Sequence, residues 1–243
     1  MTMLPYLLSI FSGLLLAASF PDADWNLLAW AGLVPFFIAI EGRGCRETFR
    51  IGYLGGVAFY WALFYWLNNV TVAGFLVLTC YLALYFPLFG ILMNYARRRV
   101  PAPWWLVAPL VWTALEYMRT YAFTGLPWGV LGVTQHRAVR LIQFASVTGV
   151  YGVSFLVVLV NAALYDCAVR RGARRFAGPV AAVDEGERGG WWMGGGAVLG
   201  ETVRVAIVQG NVPQEEKFGE GFAREIIERF HRLTRGVKGA EPD

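Results

Sequence analysis

The sequence predicts a mainly α-helical chain, a polytopic transmembrane helical bundle followed by a short tail of one strand and one helix, and three observations carry that expectation. Of 243 residues, 57% are hydrophobic and 16% are charged, against roughly 25% charged in ordinary soluble domains, so a single soluble core does not absorb this much apolar sequence. The charge is also unevenly placed: nine Lys/Arg and six Asp/Glu fall in residues 1–169, twelve and eleven in the remainder. Apolar runs recur at about 3–20, 25–40, 51–68, 72–96, 104–121 and 139–169. Most reach the ~20 residues that a helix needs to cross a ~30 Å hydrocarbon layer, and six spans are the economical count.

The first run has no basic residues ahead of it, so although Ala17-Ala18-Ser19 resembles a cleavage site, an uncleaved span is expected. The second is short, bounded by Asp22, Asp24 and Glu41, and reads as tilted or half-inserted. Gly52, Gly55 and Gly56 in the third run, and Gly149 and Gly152 in the sixth, let helix backbones approach closely. In the fifth run Glu116 and Arg119, at i,i+3, share one helix face and neutralise each other at membrane depth. Two purposes stay open for them: an ion pair that locks the bundle, or an anchor for a lipid headgroup or for the loop that follows. Asn161, midway along the sixth run, reads as an interhelical hydrogen-bonding group.

Orientation follows from the loops. Arg43, Arg46 and Arg50, then Arg97, Arg98 and Arg99, then Arg170, Arg171, Arg174 and Arg175 cluster on alternate connections, while the other connections hold a single Arg. Arginine-rich loops stay cytoplasmic, which places the N-terminus inside and the segment 122–137 outside. The same distribution explains the net charge of +4 without nucleic acid, because no basic stripe interleaved with aromatics is present. Cys45, Cys80 and Cys167 have no paired spacing, and His136 and His231 stand far apart, so neither a disulfide framework nor a metal site is expected.

After the fifth run comes Thr124-Gly125-Leu126-Pro127-Trp128-Gly129-Val130-Leu131-Gly132-Val133-Thr134-Gln135, apolar yet holding three glycines and a proline. Non-helical backbone at membrane depth is tolerated where it is buried in protein or lines a cavity, so this reads as a re-entrant or interfacial loop with Trp128 at headgroup level. Trp112-Thr113-Ala114-Leu115-Glu116-Tyr117-Met118-Arg119, this loop, Gly149-Val150-Tyr151-Gly152-Val153-Ser154, Asn161-Ala162 and, in the tail, Val205-Ala206-Ile207-Val208-Gln209-Gly210-Asn211-Val212-Pro213-Gln214 with Lys217-Phe218 together resemble the apolipoprotein N-acyltransferase family. Leu126 stands where the family has Phe, Thr120 where it has Gly, and Phe218 where it has Trp.

The resemblance implies a multi-pass protein of the bacterial cytoplasmic (inner) membrane with a nitrilase-like (carbon-nitrogen hydrolase, αββα) domain outside it. It implies transfer of an acyl chain from a phospholipid donor, through an enzyme cysteine thioester, to the N-terminal diacylglyceryl-cysteine of a lipoprotein, with a Glu base and a Lys oxyanion donor. By motif match Gly125, Pro127 and Trp128 border the lipid cleft, with Glu116 and Arg119 supporting it. No cofactor is implied, and a monomer is expected.

In the tail, Val203–Val208 reads as a strand, and Gly221–Gly236 as an amphipathic helix with Phe222, Ile226, Phe230 and Leu233 on one face. This is how a nitrilase-like domain begins. Three regions are therefore expected: a bundle over 1–171, a degenerate seventh span or linker over 172–202, and a domain start over 203–243. Asp184, Glu185, Glu187 and Arg188 interrupt the middle region, and the apolar or glycine residues Gly189–Gly200 are too few to span. The family's catalytic triad is expected beyond Asp243, so no catalytic residue is assigned and the chain alone is expected to be an inactive fragment. The competing readings are a six-helix transporter and a non-catalytic module that binds lipid or a partner.

Overall fold

A computed structural model describes residues 2–122, 125–170, 206–213, 217 and 221–237. They fall into two compact units, one drawn from residues 1–195 and the other from 196–243.

The first unit is a set of packed helices. Helix α1 (Leu4–Ala18) leads to a 3-10 turn (Asn26–Trp30) and a short α2 (Val34–Ile40). Helix α3 (Cys45–Leu63) ends in a second 3-10 turn (Tyr65–Asn69). Then come α4 (Val72–Ala83), α5 (Tyr85–Arg99) and α6 (Trp104–Tyr121). After the loop and a third 3-10 turn (Leu131–Gln135) follow two single-turn helices, α7 (Val139–Ile142) and α8 (Ala145–Thr148), and the long α9 (Val150–Arg170). Leu84 keeps helical dihedrals, so α4 and α5 run together over 28 residues. Among the described residues this stretch and α9 are long and apolar enough to cross a membrane by themselves.

Close backbone approach holds the helices together, and glycine permits it. A Cβ placed on Gly55 would overlap Ser9 Oγ in α1, one on Gly52 would lie 2.6 Å from Pro87 Cα, and one on Gly56 2.5 Å from the Ala83 carbonyl. The third-run glycines thus do what their spacing predicts. The Ser9 hydroxyl donates back to the Ile51 carbonyl at 2.7 Å. Behind this seam lies a core of buried rings, in which Phe37 meets Trp104 edge-on at 4.7 Å and Phe89 meets Trp112 at 5.0 Å.

The two ends of the unit differ chemically. At one, Arg97 pairs with Glu41 at 3.3 Å and donates to Tyr165 Oη at 2.9 Å, and Asn94 donates to the Ile40 and Arg43 carbonyls. At the other, Arg137 pairs with Asp24, Gln135 donates to the Asn26 carbonyl at 3.1 Å, and Trp66 packs on Trp128. The first two arginine clusters and the loop after α6 therefore sit at opposite ends.

Three expectations change. Residues 139–169 are not one span: Gly149, at φ +66°, breaks the run, α9 begins at Val150, and two single turns precede it. Gly149 is thus a helix break, whereas Gly152 makes the close approach, its Cβ direction being filled by Thr148. The second run divides into a 3-10 turn and α2. Helix α3 begins at Cys45, ahead of its apolar run, where the i,i+4 pair Arg43–Glu47 at 2.8 Å supports the first turn.

In the second unit α10 (Ala223–Val237) forms where expected. Residues 206–213 carry no strand pairing among the described residues, and they pack on the helix at Gly210, where a Cβ would meet the Phe230 ring at 2.5 Å. Residues 203–205 of the expected strand, the region 172–202, and Thr124, Gln214 and Phe218 of the family motifs lie outside the described residues.

Gly55→Ala should lower the thermal unfolding midpoint of the detergent-purified chain by the equivalent of about 1–3 kcal/mol, the usual cost of overpacking a tight contact. Gly44→Ala, where nothing lies within 4 Å of the added methyl, should leave it unchanged. Equal midpoints for the two variants would show that the α1–α3 seam is not tight.

Candidate functional site: the loop after helix α6

Helix α6 delivers Glu116 and Arg119 into the interior, where they are 5% and 2% exposed. Burial of this depth normally requires that each charged group be hydrogen-bonded. Glu116 Oε1 accepts from Trp112 Nε1, one turn earlier, and from the backbone N–H of Leu131, both at 2.9 Å. Arg119 turns the other way and donates through Nη1 to Tyr60 Oη on α3, with its guanidinium carbon 5.5 Å from the Tyr60 ring centre and 5.9 Å from that of Tyr85.

The expected direct ion pair is therefore replaced by two separate anchorages. The carboxylate is drawn towards the loop amide and the guanidinium towards α3. Glu116 Oε2, Arg119 Nε and Arg119 Nη2 are buried without a protein hydrogen-bond partner, and both residues border a cavity of about 20 Å³. A space of that size has room for one water molecule.

The loop is fixed at both of its bases. Gly125 N–H donates to the Ala122 carbonyl at 2.9 Å, and Leu126 N–H to the Arg119 carbonyl at 3.2 Å. Gly125 adopts φ +71°, and a Cβ there would meet the Thr120 carbonyl at 2.5 Å, so glycine is required on both counts. At the far base, Leu131 N–H is held by Glu116 and the next amide, Gly132 N–H, by Ser154 Oγ of α9 at 2.8 Å. Thr134 Oγ1 closes on the Leu131 carbonyl at 2.7 Å. Gln135 accepts from Trp30 Nε1 at 3.0 Å and donates to the Asn26 carbonyl, which ties the loop to the turn before α2.

Between these bases Pro127 and Trp128 are exposed or half-exposed and Leu126 is half-buried. Gly129, at φ +73°, lies against Leu63 and Phe64. The Trp128 ring stands 5.6 Å from Trp66 and 6.3 Å from Phe64, both of the segment after α3. The structure thus brings Glu116, Arg119, Gly125, Pro127 and Trp128 into one region, with the two charges under the loop and the tryptophan at its tip.

Sequence reasoning did not assign Ser154, Trp112, Tyr60 or Trp66. Ser154 had a legible signal, a polar residue early in an apolar helix. Trp112 stood in the family motif without a role, and Tyr60 and Trp66 had no signal, because aromatic residues make up 16% of the chain. Asn161 behaves as expected: it accepts from Leu33 N–H at 2.8 Å and donates to the Ala29 carbonyl at 2.7 Å, bridging the break between the first 3-10 turn and α2. Cys45 and Cys80 are exposed and Cys167 is partly exposed. No grouping suited to a metal ion occurs among the described residues.

The fold and this loop define an apolar, multi-helix protein whose irregular loop is held by buried polar side chains. The model of the apolipoprotein N-acyltransferase N-terminal domain matches residues 12–163, and the chain belongs to the apolipoprotein N-acyltransferase family. Relatives named apolipoprotein N-acyltransferase include one from Geobacter metallireducens, 33% identical over 98% of this chain and 49% of the relative. Another, from Chromobacterium violaceum, is 32% identical over 91% and 47%, and a third, from Photobacterium profundum, is 27% identical over 94% and 46%. The chain spans about half the length of these relatives.

Removing one of the two buried charges leaves the other more costly to bury, by roughly 3–5 kcal/mol for an uncompensated charge. Glu116→Gln and Arg119→Gln should each lower the thermal midpoint, and the double variant should cost less than the sum of the two. Strict additivity in a double-mutant cycle would show that the two charges do not sense one another.

Proposed function

We propose that residues 1–171 are the membrane part of an acyltransferase that moves a fatty acyl chain from phospholipid to the N-terminal diacylglyceryl-cysteine of lipoproteins. The observation that carries this reading is the loop itself. An irregular apolar segment, anchored at both bases by buried groups, presents Pro127 and Trp128 at the end of the helices opposite the first two arginine clusters. An exposed indole at that level suits the boundary between acyl chains and headgroups.

In this reading the chain crosses a bacterial inner membrane several times with its N-terminus inside, since the arginine loops stay cytoplasmic and the loop after α6 then faces outward. Gly125, Pro127 and Trp128 border the place where the phospholipid donor lies. Glu116 holds the loop from beneath, and Arg119 braces α6 against α3. Residues 203–243 are the start of a nitrilase-like domain, supported by the contact of Gly210 with Phe230. The covalent step needs a thiolate, a base and an oxyanion donor brought together. Cys45, Cys80 and Cys167 match no nucleophile position of the family motifs, so none is assigned as that thiolate, and in this reading residues 1–243 bind the donor without forming an acyl-enzyme.

A phospholipid with a photoreactive acyl chain, reconstituted with the chain in vesicles, should cross-link preferentially within residues 125–135. Trp128→Ala should reduce that labelling several-fold, and no hydroxylamine-labile acyl group should form on any cysteine. Labelling spread evenly over the apolar helices, or a thioester with turnover on Cys45, Cys80 or Cys167, would overturn the reading.

A further inference from the structure

The last turn of α3 carries the tip of the loop, and Tyr60 lies at the centre of that contact. Its hydroxyl accepts from Arg119 Nη1, and its ring stacks on Phe64, one turn further along α3, with ring centres 5.9 Å apart and planes 23° from parallel. Phe64 in turn meets Trp128 at 6.3 Å between ring centres. The loop backbone comes down on the same face of the helix: a Cβ on Gly129 would lie 2.9 Å from Leu63 Cδ2, 3.5 Å from the Phe64 ring and 3.7 Å from Tyr60 Cε1. Tyr60, Leu63 and Phe64 stand at i, i+3 and i+4, the spacing that puts side chains on one helix face.

Tyr60 is only 3% exposed, and three phenylalanine rings pack on it: Phe64, Phe59 edge-on at 4.7 Å and Phe86 edge-on at 6.3 Å. A hydroxyl among such neighbours costs free energy unless it is hydrogen-bonded. Phenylalanine would fill the same space without that cost. What the hydroxyl adds is the bond from Arg119, and a bond to a charged group is roughly twice as strong as one between neutral groups. That bond fixes the direction of the ring from α6. Glu116 and Arg119 thus reach the loop by opposite routes, the carboxylate to its base at Leu131 and the guanidinium, through Tyr60 and Phe64, to its tip at Trp128.

We propose that Tyr60 is a positioning residue of the donor site: held by Arg119 at its hydroxyl and by Phe64 at its face, it sets where the Trp128 indole stands against the phospholipid. The proposal rests on the reading of Pro127 and Trp128 as the border of that site. A change at Tyr60 moves the indole while the base stays closed, because the base is held separately by Glu116 and Ser154.

The test is fluorine NMR of the full chain labelled with fluorotryptophan in nanodiscs, the Trp128 resonance being assigned from its loss in Trp128→Phe. Tyr60→Phe keeps the ring and removes the hydroxyl alone. It should shift or broaden the Trp128 resonance and lower photo-cross-linking of phospholipid to residues 125–135 several-fold, while the Leu131 amide stays protected from exchange. Tyr53→Phe, two turns earlier on the same helix, should leave the resonance where it is. If Tyr60→Phe does not fold, the triple variant Glu116→Gln/Arg119→Met/Tyr60→Phe carries the same comparison, since it buries no charge and a glutamine amide oxygen still accepts from Leu131. A lowered unfolding midpoint with an unmoved Trp128 resonance would make Tyr60 a packing residue only and overturn the proposal, as would an equal shift in Tyr53→Phe. A moved resonance alongside labelling spread evenly over the helices of the unaltered chain would overturn the donor reading while supporting Tyr60 as the residue that places Trp128.

Discussion

The hydrogen bond from the Leu131 amide to Glu116 Oε1, 2.9 Å long and wholly buried, is the constraint on which the site depends. Without it a carboxylate would be buried against an indole alone, and a backbone N–H at the end of an apolar loop would have no acceptor. With it the loop has a fixed base, Gly132 reaches Ser154, and Gln135 reaches the turn before α2. Trp128 is thereby presented at a defined place, although the residue that fixes it lies on the preceding helix.

The same principle recurs wherever the helices break. In a hydrocarbon environment no water satisfies a free backbone group, so irregular backbone must be completed by protein. Asn161 completes the gap between Ala29 and Leu33, Ser12 donates to the Gly32 carbonyl, and Asn94 closes the end of α2 at Ile40 and Arg43. Ser154 and Glu116 do so for two successive amides of the loop. Asn161, Ser12, Asn94 and Ser154 each come from a helix other than the one that breaks, whereas Glu116 reaches forward from the helix that the loop follows. Several of the buried polar residues of this apolar protein thus mark where its chain departs from helix.

How much of this was legible in the sequence depends on the length scale of the signal. Apolar runs and arginine clusters are local, and they gave the helices, the chemical difference between the two ends, and the amphipathic α10. The Gly52, Gly55 and Gly56 seam was legible because glycines recurring on one face of an apolar helix weaken it unless another backbone packs into the space they leave. The motif around Glu116 and the loop carried the family. Pairing across the fold was not legible. The i,i+3 spacing placed Glu116 and Arg119 on one face but said nothing of Leu131 or Tyr60, which draw them apart. The break at Gly149 was hidden because apolar residues continue on both sides of it, and a positive φ leaves no mark in composition. Trp66 was one aromatic among many until the loop came to rest on it.

The most direct test of the account is residue-resolved amide hydrogen exchange on the chain in detergent micelles or nanodiscs. If buried side chains hold the loop base, Leu131 and Gly132 should exchange as slowly as the interior of α6. Glu116→Ala should release Leu131 by about two orders of magnitude or more, while amides in the middle of α3 stay protected, because local opening and global unfolding are separable in exchange. Fast exchange at Leu131 in the unaltered chain, or protection that survives Glu116→Ala, would contradict the claim that this carboxylate positions the loop.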